Sequence, residues 1–106
     1  MASEKRLAVL EKMVAGGSSD SFVLYGLALE YVGFDRTDDA VAAFAKLREQ
    51  DSNYVPAYLM CGQLLGKVNR TSEAREWLTV GLEKARANHN EHAASEIESA
   101  LASLPA

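Results

Sequence analysis

Few side chains in this sequence have the type and spacing that chemistry requires, and each has a plain structural role open to it. Cys61 is the single cysteine among 106 residues; an internal disulfide is therefore impossible. As a nucleophile it would need a base brought beside it by the fold. It falls instead on a small, apolar position of a helical stripe, where a thiol acts as a small hydrophobe, and it is expected in the core. His89 and His92 stand three apart, with Glu91 between them and Glu96 four beyond His92. On a helix such spacing can gather two imidazoles and a carboxylate, but this falls short of a zinc ligand set, and the side chains are expected in solvent. Asp35, Asp38 and Asp39 cluster at a turn and helix start, where carboxylates favour the positive end of the helix dipole; they do not form an acid/base pair. No G-x-x-x-x-G-K-[ST], G-x-G-x-x-G or G-x-S-x-G motif is present, so the common phosphate cradles and the nucleophile elbow are missing. The chain is expected to be no enzyme and to use no metal and no cofactor.

The elements that carry these residues follow from composition. Hydrophobic residues make up 48% and charged residues 25%, a balance that supports a packed core and argues against disorder. A formal net charge of −4 disfavours nucleic acid, whose binders present basic surfaces. No apolar run approaches the roughly 20 residues that span a bilayer. The start, Met1-Ala2-Ser3-Glu4-Lys5-Arg6, lacks the apolar core and cleavage site of a signal peptide. A cytoplasmic chain without membrane partners is the expectation. Alanine, leucine, glutamate and lysine dominate, prolines number only two (Pro56 and Pro105), and no strand-length alternation occurs. The class is all-α.

Internal repetition organises the helices. Phe34-Asp35-Arg36-Thr37-Asp38-Asp39-Ala40 reads like Val68-Asn69-Arg70-Thr71-Ser72-Glu73-Ala74, with Ala40 and Ala74 separated by 34 positions. At that offset residues 21–54 share only four identities with the following segment: Arg36/Arg70, Thr37/Thr71, Ala40/Ala74 and Glu49/Glu83. Residue classes match more widely. Leu24, Leu27, Ala28 and Tyr31 align with Tyr58, Cys61, Gly62 and Leu65, and Ala43 and Phe44 with Trp77 and Leu78. Spacings of three and four draw one apolar stripe on a first helix. A polar turn follows, with Thr37 or Thr71 placed to cap a second helix. Each unit is thus a helix–turn–helix hairpin with one apolar side.

This pattern resembles the tetratricopeptide repeat, a 34-residue helical hairpin with large, leucine, small and aromatic positions in its first helix and a small then a large apolar position in its second. Leu24, Leu27, Ala28, Tyr31, Ala40 and Phe44 match in one unit, and Tyr58, Cys61, Gly62, Leu65, Ala74 and Leu78 in the next. Departures are Ser52 and Arg86 where the family places proline, and Leu47 and Gly81 where it places a later alanine. The resemblance implies a right-handed superhelical stack of antiparallel hairpins and a protein-binding role. In the flanks, Leu7, Leu10 and Val14 share a face that ends at Gly16-Gly17, like the second helix of an incomplete repeat. Ala94, Ile97, Leu101 and Leu104 share another, in a C-terminal capping helix one or two residues out of register. The expectation is one domain over 1–106: a half repeat (3–18), repeats at 21–54 and 55–88, and a cap (89–106). Six helices are expected, near 3–15, 20–33, 37–50, 54–67, 71–87 and 91–104.

In such a stack the first helices line the concave side. Opposite the core stripe the first unit carries Phe22, Tyr25, Leu29 and Val32, and the second Pro56, Leu59, Gln63 and Gly66 with Lys67 alongside. An apolar outer face has three accounts: cover by a terminal helix, a groove for a partner's helix or peptide, or self-association as a homodimer. The expected binding groove consists of Phe22, Tyr25, Leu29, Val32, Leu59, Gln63 and Lys67, with Phe22 and Tyr25 as hot spots. Some members of the resembled family grip a partner's C-terminal carboxylate with lysine, arginine and asparagine. Tyr25, Leu29 and Met60 occupy those places here, so that clamp is not expected.

Overall fold

In the computed structural model, which describes residues 2–106, the chain forms α1 (Glu4–Ala15), α2 (Ser21–Gly33), α3 (Thr37–Gln50), α4 (Val55–Lys67), α5 (Thr71–Ala87) and α6 (Glu91–Ala102). No strand occurs among the described residues, and no helix is long and apolar enough to cross a membrane. The described residues up to Tyr54, and those from Val55 to Ala106, form two compact units.

In the first unit α2 packs against both α1 and α3. Leu24, Leu27 and Ala28 of α2 are buried with Ala40, Ala43, Phe44 and Leu47 of α3 and Leu7 of α1. In the second unit α4, α5 and α6 pack pairwise, each touching the other two. Tyr58, Cys61 and Leu65 of α4, Ala74, Trp77 and Leu78 of α5, and Ala94 and Ile97 of α6 are buried there. These are the stripes that the spacing of three and four sets out. Small residues let the helices meet: a Cβ at Gly62 would lie 2.4 Å from Leu78 Cδ2, and one at Gly81 2.5 Å from Tyr58 Cβ.

Four of the helix ends share one chain reversal. At Gly17, Asp35, Asn69 and His89 the backbone is left-handed, with φ of 103°, 57°, 64° and 56°. In each case the next residue's N–H returns to a carbonyl five residues back: Ser18 to Met13, Arg36 to Tyr31, Arg70 to Leu65 and Asn90 to Ala85. This is the Schellman arrangement, which satisfies carbonyls left open at a helix end. It also moves the caps expected at Thr37 and Thr71. Arg36 and Arg70, already committed to the reversal, are the N-cap residues and make no side-chain cap. Their guanidinium groups instead pair with Asp39 at 2.8 Å and Glu73 at 2.7 Å in the helix's first turn.

The remaining boundary changes have local causes. Helix α6 stops at Ala102 rather than Leu104 because Pro105 disfavours helical backbone in the residue before it. Leu104 nevertheless packs against the core formed by Val55, Leu78, Ala85, Ala94 and Ile97. Helix α5 runs for 17 residues against 14 in the equivalent α3, which absorbs the register slip of the cap.

Candidate protein-interaction surface

The groups with catalytic potential are placed for structure. Cys61 is fully buried at its core position. His89 holds the left-handed reversal that joins α5 to α6. His92, 89% exposed in its side chain, lies 3.1 Å from Glu96 one helical turn on. Among the described residues no three histidine, cysteine or carboxylate side chains converge as a metal site.

The outer face of α2 is built differently along its length. Asp20 caps the helix by accepting from the N–H groups of Phe22 and Val23, at 2.8 and 3.2 Å. This fixes Phe22 in the first turn, where its ring is 79% exposed. Tyr25, one turn later, is half-buried. Its ring lies 5.2 Å from Tyr54 and 6.4 Å from Phe44, both tilted, in the geometry that aromatic quadrupoles favour. Burial, and secondarily Tyr54, pushes its phenol pKa up. Leu29 and Val32 are each partly buried.

Phe22 and Leu29 share a cleft of about 690 Å³ between α2 and α1; Tyr25 and Val32 do not line it. Val23, Gly26 and Glu30 complete the α2 wall, and Lys5, Arg6, Val9, Leu10 and Met13 form the α1 wall. Val9 and Met13 are 57% and 43% exposed. Their apolar i, i+4 pairing was present in the sequence but stood outside the Leu7–Leu10–Val14 stripe that defined α1.

Two polar contacts hold α1 against α2. Glu30 accepts from the Ser3 N–H at 2.8 Å and from Arg6 Nε at 3.3 Å. The Ser3 bond above all, then Arg6, holds its carboxyl below the usual range despite opposing desolvation. The Tyr31 hydroxyl donates to Glu11 at 2.6 Å, and the Arg36 guanidinium stands 4.7 Å above the Tyr31 ring. Burial, then the Glu11 carboxylate, pushes the phenol pKa to about 12.

In the second unit the cap covers part of the equivalent face. Leu59 packs against the core that includes Ala94 and Ile97 of α6. Gln63 is exposed at the edge of a crevice of about 360 Å³ lined by His92, Ser95, Glu96 and Ser99 of α6. Lys67 borders a smaller space of about 270 Å³ with Gly66 and Leu104.

Solved structures share this architecture. A tetratricopeptide-repeat domain protein from Salinibacter ruber is 34% identical over 77% of this chain, with a TM-score of 0.71 to both its NMR and its crystal structure. The match covers 83% of the NMR chain and 92% of the crystal chain. The chain belongs to the tetratricopeptide-repeat family. The TPR2B domain of yeast Sti1, solved as a complex with pHsp70, shares the fold at a TM-score of 0.81 and 22% identity, over 90% of this chain and 76% of that one. No protein-family model and no curated protein sequence matches. As a tetratricopeptide-repeat protein, the chain presents α2–α3 and α4–α5 as its two hairpins. Helix α1 precedes them, and α6 follows.

Proposed function

We propose that this tetratricopeptide-repeat protein is an interaction module that binds a helix or peptide of another protein on the apolar face of α2. Phe22, Leu29 and Val32 make the contact, and Tyr25, braced by Tyr54 and Phe44, forms a rigid backing. On α4, Leu59 and Gln63 hold the repeat positions of Tyr25 and Leu29, with Lys67 alongside, a more polar set than the one on α2. The observation that carries this reading is the Phe22 ring, 79% exposed at the mouth of an apolar cleft. Burying such a ring is worth about 1.5–3 kcal/mol, and large aromatics concentrate interface energy. The Sti1 domain, solved with pHsp70, lends support as a protein of the same fold held with another protein.

The test is affinity capture from source-cell lysate with the wild type and Phe22→Asp, quantified by mass spectrometry. Phe22→Asp is expected to melt with the wild type and to lose its partner at least tenfold. Equal capture by both would overturn the reading. Tyr25 is left intact because its removal would disturb packing. The alternative of a homodimer through the same face predicts concentration-dependent sedimentation that Phe22→Asp abolishes.

A further inference from the structure

The two units differ in one informative way. In the second, α5 is flanked by α4 on one side and α6 on the other, and α4 also touches α6. In the first, α1 stands to α2 as α5 stands to α6, but no helix of the unit takes the place of α4. Counting back two periods from Trp77, Leu78 and Gly81 of α5 reaches Val9, Leu10 and Met13 of α1. Helix α4 covers the α5 set: the Tyr58 ring lies tilted 5.8 Å from that of Trp77 and sits on Gly81, and Gly62 sits on Leu78. Trp77 is accordingly 7% exposed and Leu78 0%, whereas Val9 is 57% and Met13 43% exposed. The α1 residues have the apolar character of a covered surface without the cover.

The α2 wall departs further. Counted from the first helical residues, Ser21 and Glu91, the cleft residues Phe22, Gly26 and Leu29 correspond to His92, Glu96 and Ser99 of α6. That part of α6 is polar and borders an open crevice beside α4; on α2 it is apolar. Val23 and Glu30 correspond to Ala93 and Ala100, so the difference lies in two large apolar residues, Phe22 and Leu29, where α6 is polar.

We infer that the α1–α2 cleft is the seat of an amphipathic helix supplied by a partner protein, apolar on a broad face and acidic along its flank. This rests on the interaction-module reading and specifies its ligand. The α1 wall from Lys5 to Met13 spans about 12 Å at 1.5 Å per residue, so the seat fits two to three helical turns. The acidic flank follows from the rim. Its charged residues are Lys5, Arg6 and Glu30, and Glu30 already accepts from Arg6 and from the Ser3 N–H. The rim is thus net positive although the chain as a whole carries −4. Opposite charge across a rim raises the on-rate and selects partners.

The probes are three fluorescein-labelled peptides of equal length. The first has leucines at three- and four-residue spacing flanked by glutamates. In the second lysines replace the glutamates; in the third the leucines are scrambled out of their stripe. Anisotropy titration is expected to show the glutamate peptide binding at least fivefold tighter than the lysine peptide and tenfold tighter than the scrambled one. Val9→Asp and Met13→Asp, at exposed positions, are expected to weaken it at least tenfold with melting unchanged, and amide shifts on binding should fall on α1 and α2. Equal binding of the glutamate and lysine peptides, insensitivity to Val9→Asp and Met13→Asp, or shifts confined to the second unit would each overturn the inference. Partner capture that needs Phe22 but not Val9 or Met13 would leave the interaction-module reading standing and refute the helix seat. Concentration-dependent dimerisation abolished by Val9→Asp would assign the seat to a second copy and likewise refute it.

Discussion

Replacing Gly81 with alanine should destabilise the second unit, although alanine is the better helix former by about 1 kcal/mol. A Cβ at this position would lie 2.5 Å from Tyr58 Cβ, 3.2 Å from Tyr58 Cγ and 3.4 Å from the end of Ile97. Carbon atoms settle at about 3.5–4.0 Å, so the nearest contact must open by roughly 1 Å. The obstacle is a Cβ, not a side-chain tip, and only a shift of α4 against α5 relieves it. Overpacking of this kind costs about 1–3 kcal/mol; after the helix-propensity gain of about 1 kcal/mol, a net loss of up to about 2 kcal/mol is expected. The same substitution at Gly26 supplies the control. There a Cβ would meet the Leu10 methyls at 3.7 and 3.8 Å, ordinary contact, and Gly26→Ala should gain about 0.5–1 kcal/mol. Urea unfolding followed by far-UV circular dichroism should therefore place the two variants on opposite sides of the wild type. If Gly81→Ala unfolds at or above the wild-type midpoint, the close approach of α4 and α5 is not what glycine serves there. Leu47 holds the same repeat position in α3 and is fully buried, so glycine is a requirement of the second hairpin and not of the repeat.

Two further outcomes are expected. His89→Gly should stabilise by about 0.5–1 kcal/mol, because a left-handed φ of 56° is strained for a side chain with a Cβ and relaxed for glycine; an unchanged or lowered urea midpoint would refute this. Tyr31 has a folded pKa of about 12 against an ordinary 10.0, so its contribution is fully present below pH 10 and lost as pH rises towards 12. Alkaline melting curves of Tyr31→Phe should lose the part of the decline due to this group, and a slope identical to wild type would rule the contribution out.

Most of the fold was legible because its signals are local. The recurrence of Leu24, Leu27, Ala28 and Tyr31 at a distance of 34 as Tyr58, Cys61, Gly62 and Leu65 marks which sides of α2 and α4 turn inward. The helix joints were less legible. Glycine announces a left-handed reversal, and Gly17 was readable as a stop, but Asp35, Asn69 and His89 perform the same reversal without glycine. Threonine at 37 and 71 therefore drew the cap one residue too far. Asn and Asp tolerate the left-handed region through local hydrogen bonding, so an Asp-Arg-Thr or Asn-Arg-Thr turn reads better as reversal, junction and first helical residue.

The candidate site was legible only in part, because a helical stripe identifies a face but not its neighbours. Phe22, Tyr25, Leu29 and Val32 are equivalent by spacing, yet Phe22 and Leu29 open on the α1 cleft while Tyr25 turns to Phe44 and Tyr54. That division depends on Tyr54, which lies 29 residues beyond Tyr25 in the sequence, a separation no helical period reaches. Leu59 likewise finds cover from α6, as an account by a terminal helix requires, whereas Phe22 has none comparable from α1. Within α2 itself the pattern is packing at Tyr25 and open surface at Phe22, and on α4 Pro56 and Gln63 are open as well. The third helix also differs between the units: α6 packs on both α4 and α5, whereas α1 packs mainly on α2. The exposed Val9, Met13 and Phe22 lie on the side of α1 and α2 that has no counterpart of α4 among the described residues.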